Sequence, residues 1–99
     1  MPMKNPPHPG RLVKSALDAH GVSVTKAAEA LHVGRSQLHR VIAGTSAISP
    51  EMAVRLEAVI GSTAGAWLRM QAAYDAAQVS TRAAQITKGL TRLRQLEPA

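Results

Sequence analysis

The chain has no cysteine. Disulfide frameworks and thiolate metal sites are therefore excluded, and a reducing, cytoplasmic setting fits. Phenylalanine is absent too, and the aromatics are one tryptophan and one tyrosine, Trp67 and Tyr74. Readers of single strands that stack bases on aromatic platforms are thus disfavoured. The core has to be assembled from Ala, Leu, Val, Ile and Met, which favours small helices packed closely. No apolar run approaches the ~20 residues of a membrane span. The opening MPMKNPPHPG is proline-rich and lacks the apolar stretch of a signal peptide. Acidic residues are scarce, 6 against 12 Lys and Arg, so the formal net charge is +6. A small basic domain calls for an acidic partner, and nucleic acid is the commonest.

Other chemistries find little support. His8, His20, His32 and His39 form no HExxH and no cluster with carboxylates at ligand spacing. Paired carboxylates, a nucleophilic cysteine and a glycine-rich phosphate loop are all missing, so no catalytic residues, metal ligands or cofactor-binding residues are assigned. Met52, Met70 and Trp67 read as core rather than cofactor contacts.

At 99 residues the chain is one domain. Residues 1–9 read as an arm, because Pro2, Pro6, Pro7 and Pro9 cannot sit in a helix interior. Residues 10–79 read as five helices. The first opens with Pro9 at its first position and runs to about Ala19, with Leu12 and Ala16 on one face, Val13 and Leu17 beside them, and Gly21 as a left-handed cap. The second spans Val24 to Leu31 with Ser23 as N-cap. The third spans Arg35 to Ala43 and ends on Gly44. Ser49-Pro50-Glu51 is a strong start for the fourth, which carries Met52, Leu56, Val59 and Ile60 as an apolar stripe. The fifth, about Ala64 to Val79, is apolar over a wide arc, as expected of a central helix with several neighbours. The fold expected is all-α: a compact five-helix, repressor-like helix-turn-helix domain with an additional C-terminal helix.

Residues 80–99 form that extension. Val79, Ala83, Ile86, Leu90 and Leu93 recur at spacings of 4, 3, 4 and 3, a narrow heptad-like seam. Two readings stand side by side: a sixth helix laid on the same core, or a helix that packs on a second subunit, with Tyr74 beside the seam.

The pair of short helices from Val24 to Gly44 carries the functional signal. Ala27, Ala28 and Leu31 share one face, and Leu38, Val41 and Ile42 share another. Arg35, Ser36, Gln37, His39 and Arg40 stay outside, in a window free of acidic residues between Glu29 and Glu51. A helix fits the DNA major groove, where arginine meets guanine O6 and N7 and glutamine meets adenine N6 and N7. Thr25, Lys26 and Thr45 are candidates for phosphate contacts. A merely solvated polar face would show the same residues.

This motif resembles the helix-turn-helix of phage-repressor-type (Xre) regulators. The segment AISPEMAVRLEAVIGSTAGAWLRMQAAYD, Ala47 to Asp75, is similar to that of HigA-type antitoxins, and NPPHPG, Asn5 to Gly10, looks like their usual start. The ISPEMA and WLRMQAAYD stretches make the resemblance specific. It implies an antidote of a type II toxin–antitoxin system that silences a small RelE/HigB-like mRNA-cleaving ribonuclease and represses the shared operon as a homodimer on double-stranded operator DNA. By position, Arg35, Ser36, Gln37 and Arg40 would face the groove with His39 beside them, and Thr25, Lys26 and Thr45 would lie near phosphates. Two residues depart from the pattern: His32 where the turn usually has glycine, and Gly34 where serine usually caps the third helix. A stand-alone repressor, or a toxin inhibitor that does not regulate DNA, remain alternatives.

Overall fold

The structure is a computed structural model, and residues 5–98 are described here. Its helices are α1 (Gly10–His20), α2 (Val24–Leu31), α3 (Arg35–Ala43), α4 (Pro50–Val59), α5 (Ala64–Ser80) and α6 (Ala83–Thr87), followed by a 3-10 turn at Leu93–Gln95. The first four residues of the arm, 1–4, lie outside the described residues.

Each start has a local cause. Ser23 accepts from the Lys26 amide at 3.1 Å, Ser49 from Met52 at 3.1 Å and Thr63 from Ala66 at 3.0 Å. These side-chain caps satisfy amides that the helix itself leaves free. Pro50 and Glu51 follow Ser49 as the fixed φ and the helix dipole favour. α1 differs from expectation: Pro9 is its N-cap, not its first residue, and the Gly10 amide donates instead to His8 Nδ1 at 2.9 Å. Gly21 and Gly44 close α1 and α3 in the left-handed conformation.

The core comprises Val13, Leu17, Ala27, Ala28, Leu31, Leu38, Val41, Ile48, Met52, Ala53, Leu56 and Trp67. α1 crosses α3, α2 packs on α3 and α4, and α5 packs on α4. Two expected faces are corrected. On α1, Val13 and Leu17 point inward while Leu12 is 46% exposed. On α4, Ala53 joins Met52 and Leu56 inside, and Val59 faces solvent because it falls in the last turn.

α5 is not the surrounded helix that its apolar arc implied. Only Trp67 and Gln71 on it are buried, and its alanine-rich side lies open. Gln71 was not foreseen as core. Its Oε1 accepts from the Ile48 amide at 2.9 Å, and its Nε2 donates to Asp75 at 3.0 Å. Both ends of a buried polar side chain are thereby satisfied. Arg55 works similarly: Nη1 donates to the Leu31 carbonyl at 2.9 Å, closing the free end of α2, and Nη2 to Glu51 at 2.8 Å.

The heptad-like seam does not become one helix. α5 stops at Ser80, where the Ser80 and Thr81 hydroxyls donate back to the Ala77 and Gln78 carbonyls. Such side-chain bonds compete with helix continuation. α6 lasts five residues, and Gly89 beyond it is left-handed at φ 81°. Leu90 lies in the segment beyond α6, and Leu93 opens the 3-10 turn. No residue of α6 is buried, so it is not laid on the core.

Candidate nucleic-acid interface

α3 is held from behind. Leu38 and Val41 are fully buried, and α1 and α2 both pack against it. A 3.6-residue repeat then fixes what faces outward. Arg35, Ser36, Gln37, His39 and Arg40 are all exposed, one contiguous face of one helix. Among the described residues the ion pairs are Lys14–Asp18 and Arg55–Glu51, so Arg35 and Arg40 carry uncompensated charge. The first turn of α3 has no side-chain cap, because Gly34 stands at the N-cap. Its amides are left to solvent or to a ligand with negative charge.

The turn between α2 and α3 is tight. His32 takes the left-handed conformation, φ 56° and ψ 44°, and the Val33 amide reaches back to the Ala28 carbonyl at 3.0 Å. An L-residue there costs about 1–2 kcal/mol. Glycine avoids that cost but loses about 0.5–1 kcal/mol in chain entropy. His32→Gly is therefore expected to stabilise the fold by about 0.5–1 kcal/mol, read as a higher urea midpoint with an unchanged slope. A lower midpoint would show that the imidazole makes a compensating contact.

Thr25 and Lys26 are exposed at the start of α2, and Thr45 is exposed just past α3. Ser23 engages the Lys26 amide, and the Lys26 side chain forms no ion pair among the described residues. The Thr45 hydroxyl donates to the Arg40 carbonyl at 3.3 Å and has to rotate before it can donate to a phosphate. The residues considered for a second subunit are dispersed. Tyr74 is half-buried and meets the His8 ring edge-on at 4.8 Å, within the same chain. Val79, Ala83, Ile86, Leu90 and Leu93 are exposed on α5, α6 and the turns beyond. Among the described residues, no group of three or more His, Asp or Glu is placed to hold a metal ion.

His8 is the site-supporting residue that composition and spacing missed. It is buried at 7% exposure, caps α1, abuts Gly44 at the end of α3 and packs on Tyr74 of α5. Its position inside a proline-rich stretch was the only signal, and that marked an arm rather than a buried ring. Burial pushes its pKa down from 6.5, while a hydrogen bond to the Ser46 backbone and the charge of Asp75 pull the other way. A depressed histidine favours the neutral folded form. The associated stability is complete above pH 6.5 and is lost as pH falls through the lower folded-state value. Urea midpoints are accordingly expected to drop between pH 7 and pH 5.5 more in the wild type than in His8→Asn; parallel curves would contradict this.

Comparison with known proteins gives this geometry a lineage. A helix-turn-helix family profile matches residues 13–68, more than half the chain. Virulence-associated protein A' of Dichelobacter nodosus is 48% identical over 83 residues, 83% of this chain and 72% of that one. The uncharacterized HTH-type transcriptional regulator YddM of Escherichia coli K12 is 38% identical over 96 residues, 97% of both chains. The structure of the Pseudomonas aeruginosa antitoxin HigA with its higBA promoter superposes with a TM-score of 0.75 at 26% identity, covering 95% of this chain and 98% of that one. The matched residues include all of α2, the turn and α3. The chain belongs to the Xre-like helix-turn-helix family, and its all-helical fold is that of the HigA-family antitoxins.

Proposed function

We propose that this protein is a cytoplasmic DNA-binding antitoxin that represses its own operon as a homodimer and neutralises a small RelE/HigB-like mRNA-cleaving toxin by direct binding. The supporting observation is the basic face of α3, unpaired among the described residues and carried by a chain of which 95% superposes on an antitoxin solved with its promoter. In this reading Arg35 and Arg40 pair with guanine edges, Gln37 with adenine, and Ser36 and His39 with a base or phosphate. Thr25, Lys26 and Thr45 fix the register on the backbone. Val79, Ala83, Ile86, Leu90 and Leu93, exposed but spread over α5, α6 and the turns beyond, supply the dimer contact together with Tyr74. A twofold dimer would read half-sites about 34–36 Å apart.

A second reading, a stand-alone regulator without a toxin, draws on the near full-length likeness to an Escherichia coli protein described as a transcriptional regulator. Expression of whatever small open reading frames flank this gene separates the two. The antitoxin reading expects growth arrest that this chain relieves, and a shift of the DNA upstream of the pair. A shift without any arresting neighbour would support the regulator; relief without a shift would support an inhibitor that leaves DNA alone.

A further inference from the structure

Between the arm, α1 and α5 runs an open groove of about 1070 Å³. Pro6 and Leu12 form one wall, and Met70, Ala73 and Ala77 form the other. Leu12 is 46% exposed, and the α5 wall is the open side of that helix. The alanines let a backbone approach closely, while Leu12 and Met70 give depth. Arg11 and Arg69 also line the groove. Both are exposed, neither is ion-paired among the described residues, and no carboxylate lines the groove with them.

These charges sort the candidate occupants. A second copy meeting this face about a twofold axis would set the same patch against itself, arginine against arginine, with no acid between. The chain's own C-terminal segment carries Lys88, Arg92 and Arg94 beside its apolar residues, the same sign again. Nucleic acid has the right charge, but the lining holds no Trp, Tyr or Phe, and its one aromatic ring, His8, is buried against Tyr74, which leaves bases no stacking surface. An amphipathic helix with an apolar stripe and flanking carboxylates satisfies both the walls and the rim.

We infer that the groove between α1 and α5 seats an acidic amphipathic helix of a partner protein. This goes beyond the functional reading above and stands without it, because the groove takes such a helix whether or not the partner is a toxin.

The test uses the full chain and two synthetic helices with the same leucine–alanine stripe, one flanked by glutamate and one by lysine. Fluorescence anisotropy is expected to show the glutamate helix binding at least tenfold more tightly, and less tightly as salt rises. Methyl shifts in NMR should centre on Leu12, Met70 and Ala73. The double variant Arg11→Glu, Arg69→Glu changes exposed residues only and should reverse the preference. Reversal is a result that general stickiness would not produce. Failure of the glutamate helix to bind, equal binding of both, or a homodimer that Ala73→Glu dissociates in sedimentation would each overturn the inference.

Discussion

Trp67→Ala is expected to destabilise the fold by about 3–5 kcal/mol, the range for removing a large aromatic from a packed core. Trp67 is 1% exposed and is the largest fully buried side chain. It contributes more than volume. Its Nε1 donates to the Gly61 carbonyl at 2.9 Å, tying the α4–α5 turn to the core. Nothing else in an aromatic-poor chain can refill the space. Trp67→Phe keeps most of the apolar contact but leaves the Gly61 carbonyl without its donor, so about 1–3 kcal/mol is expected. Urea unfolding followed by far-UV circular dichroism measures both, since the fluorophore itself is removed. A loss below about 1 kcal/mol for Trp67→Ala would mean that α4 and α5 hold together without the indole.

Gly10→Ala should destabilise by about 3 kcal/mol, at the upper end for overpacking. In an exposed helix the same change would stabilise by about 0.5–1 kcal/mol. At Gly10 an added Cβ would lie 1.9 Å from the Val41 carbonyl oxygen and 2.8 Å from its carbon. The obstacle is backbone and cannot rotate away. α1 would have to lift from α3, taking with it the His8 cap, which lies 3.1 Å from the same Cβ position. Because Val41 belongs to α3, DNA affinity should fall along with stability. Gly65→Ala is the matched control. There the nearest atom is the mobile Arg69 guanidinium at 3.1 Å, so the substitution should be neutral or mildly stabilising. Similar thermal shifts for the two variants would refute the close approach of α1 to α3.

Much of this fold was legible where local chemistry decides it. Ser23 and Ser49 announce helix starts, and Gly21 and Gly44 announce ends, because a cap depends on only a few neighbouring residues. The α2–α3 pair was legible for the same reason, together with its outward face. Where long-range contacts decide, the sequence was silent. The buried places of His8 and Gln71 depend on partners across the fold, the Ser46 backbone and Tyr74 for one and the Ile48 amide for the other. The α5 arc looked central because apolarity records what a helix can bury, not what covers it. The seam after Val79 kept its spacing but lost its helix, since the Ser80 and Thr81 hydroxyls and Gly89 outweigh a periodic pattern with no partner in the chain.

The central claim is that α3 reads DNA through Arg35 and Arg40. Its most direct test is a titration of the wild type, Arg35→Ala and Arg40→Ala against a duplex of the DNA upstream of the gene, at several salt concentrations and with unfolding free energies measured in parallel. Both side chains are exposed and, among the described residues, without an ion-pair partner, so stability should change by less than about 0.5 kcal/mol. Binding should weaken by about 1–3 kcal/mol per variant and lose discrimination at one base pair, while the wild type shows the steep salt dependence of phosphate contacts. Variants that bind the duplex as tightly and as selectively as the wild type would contradict the account.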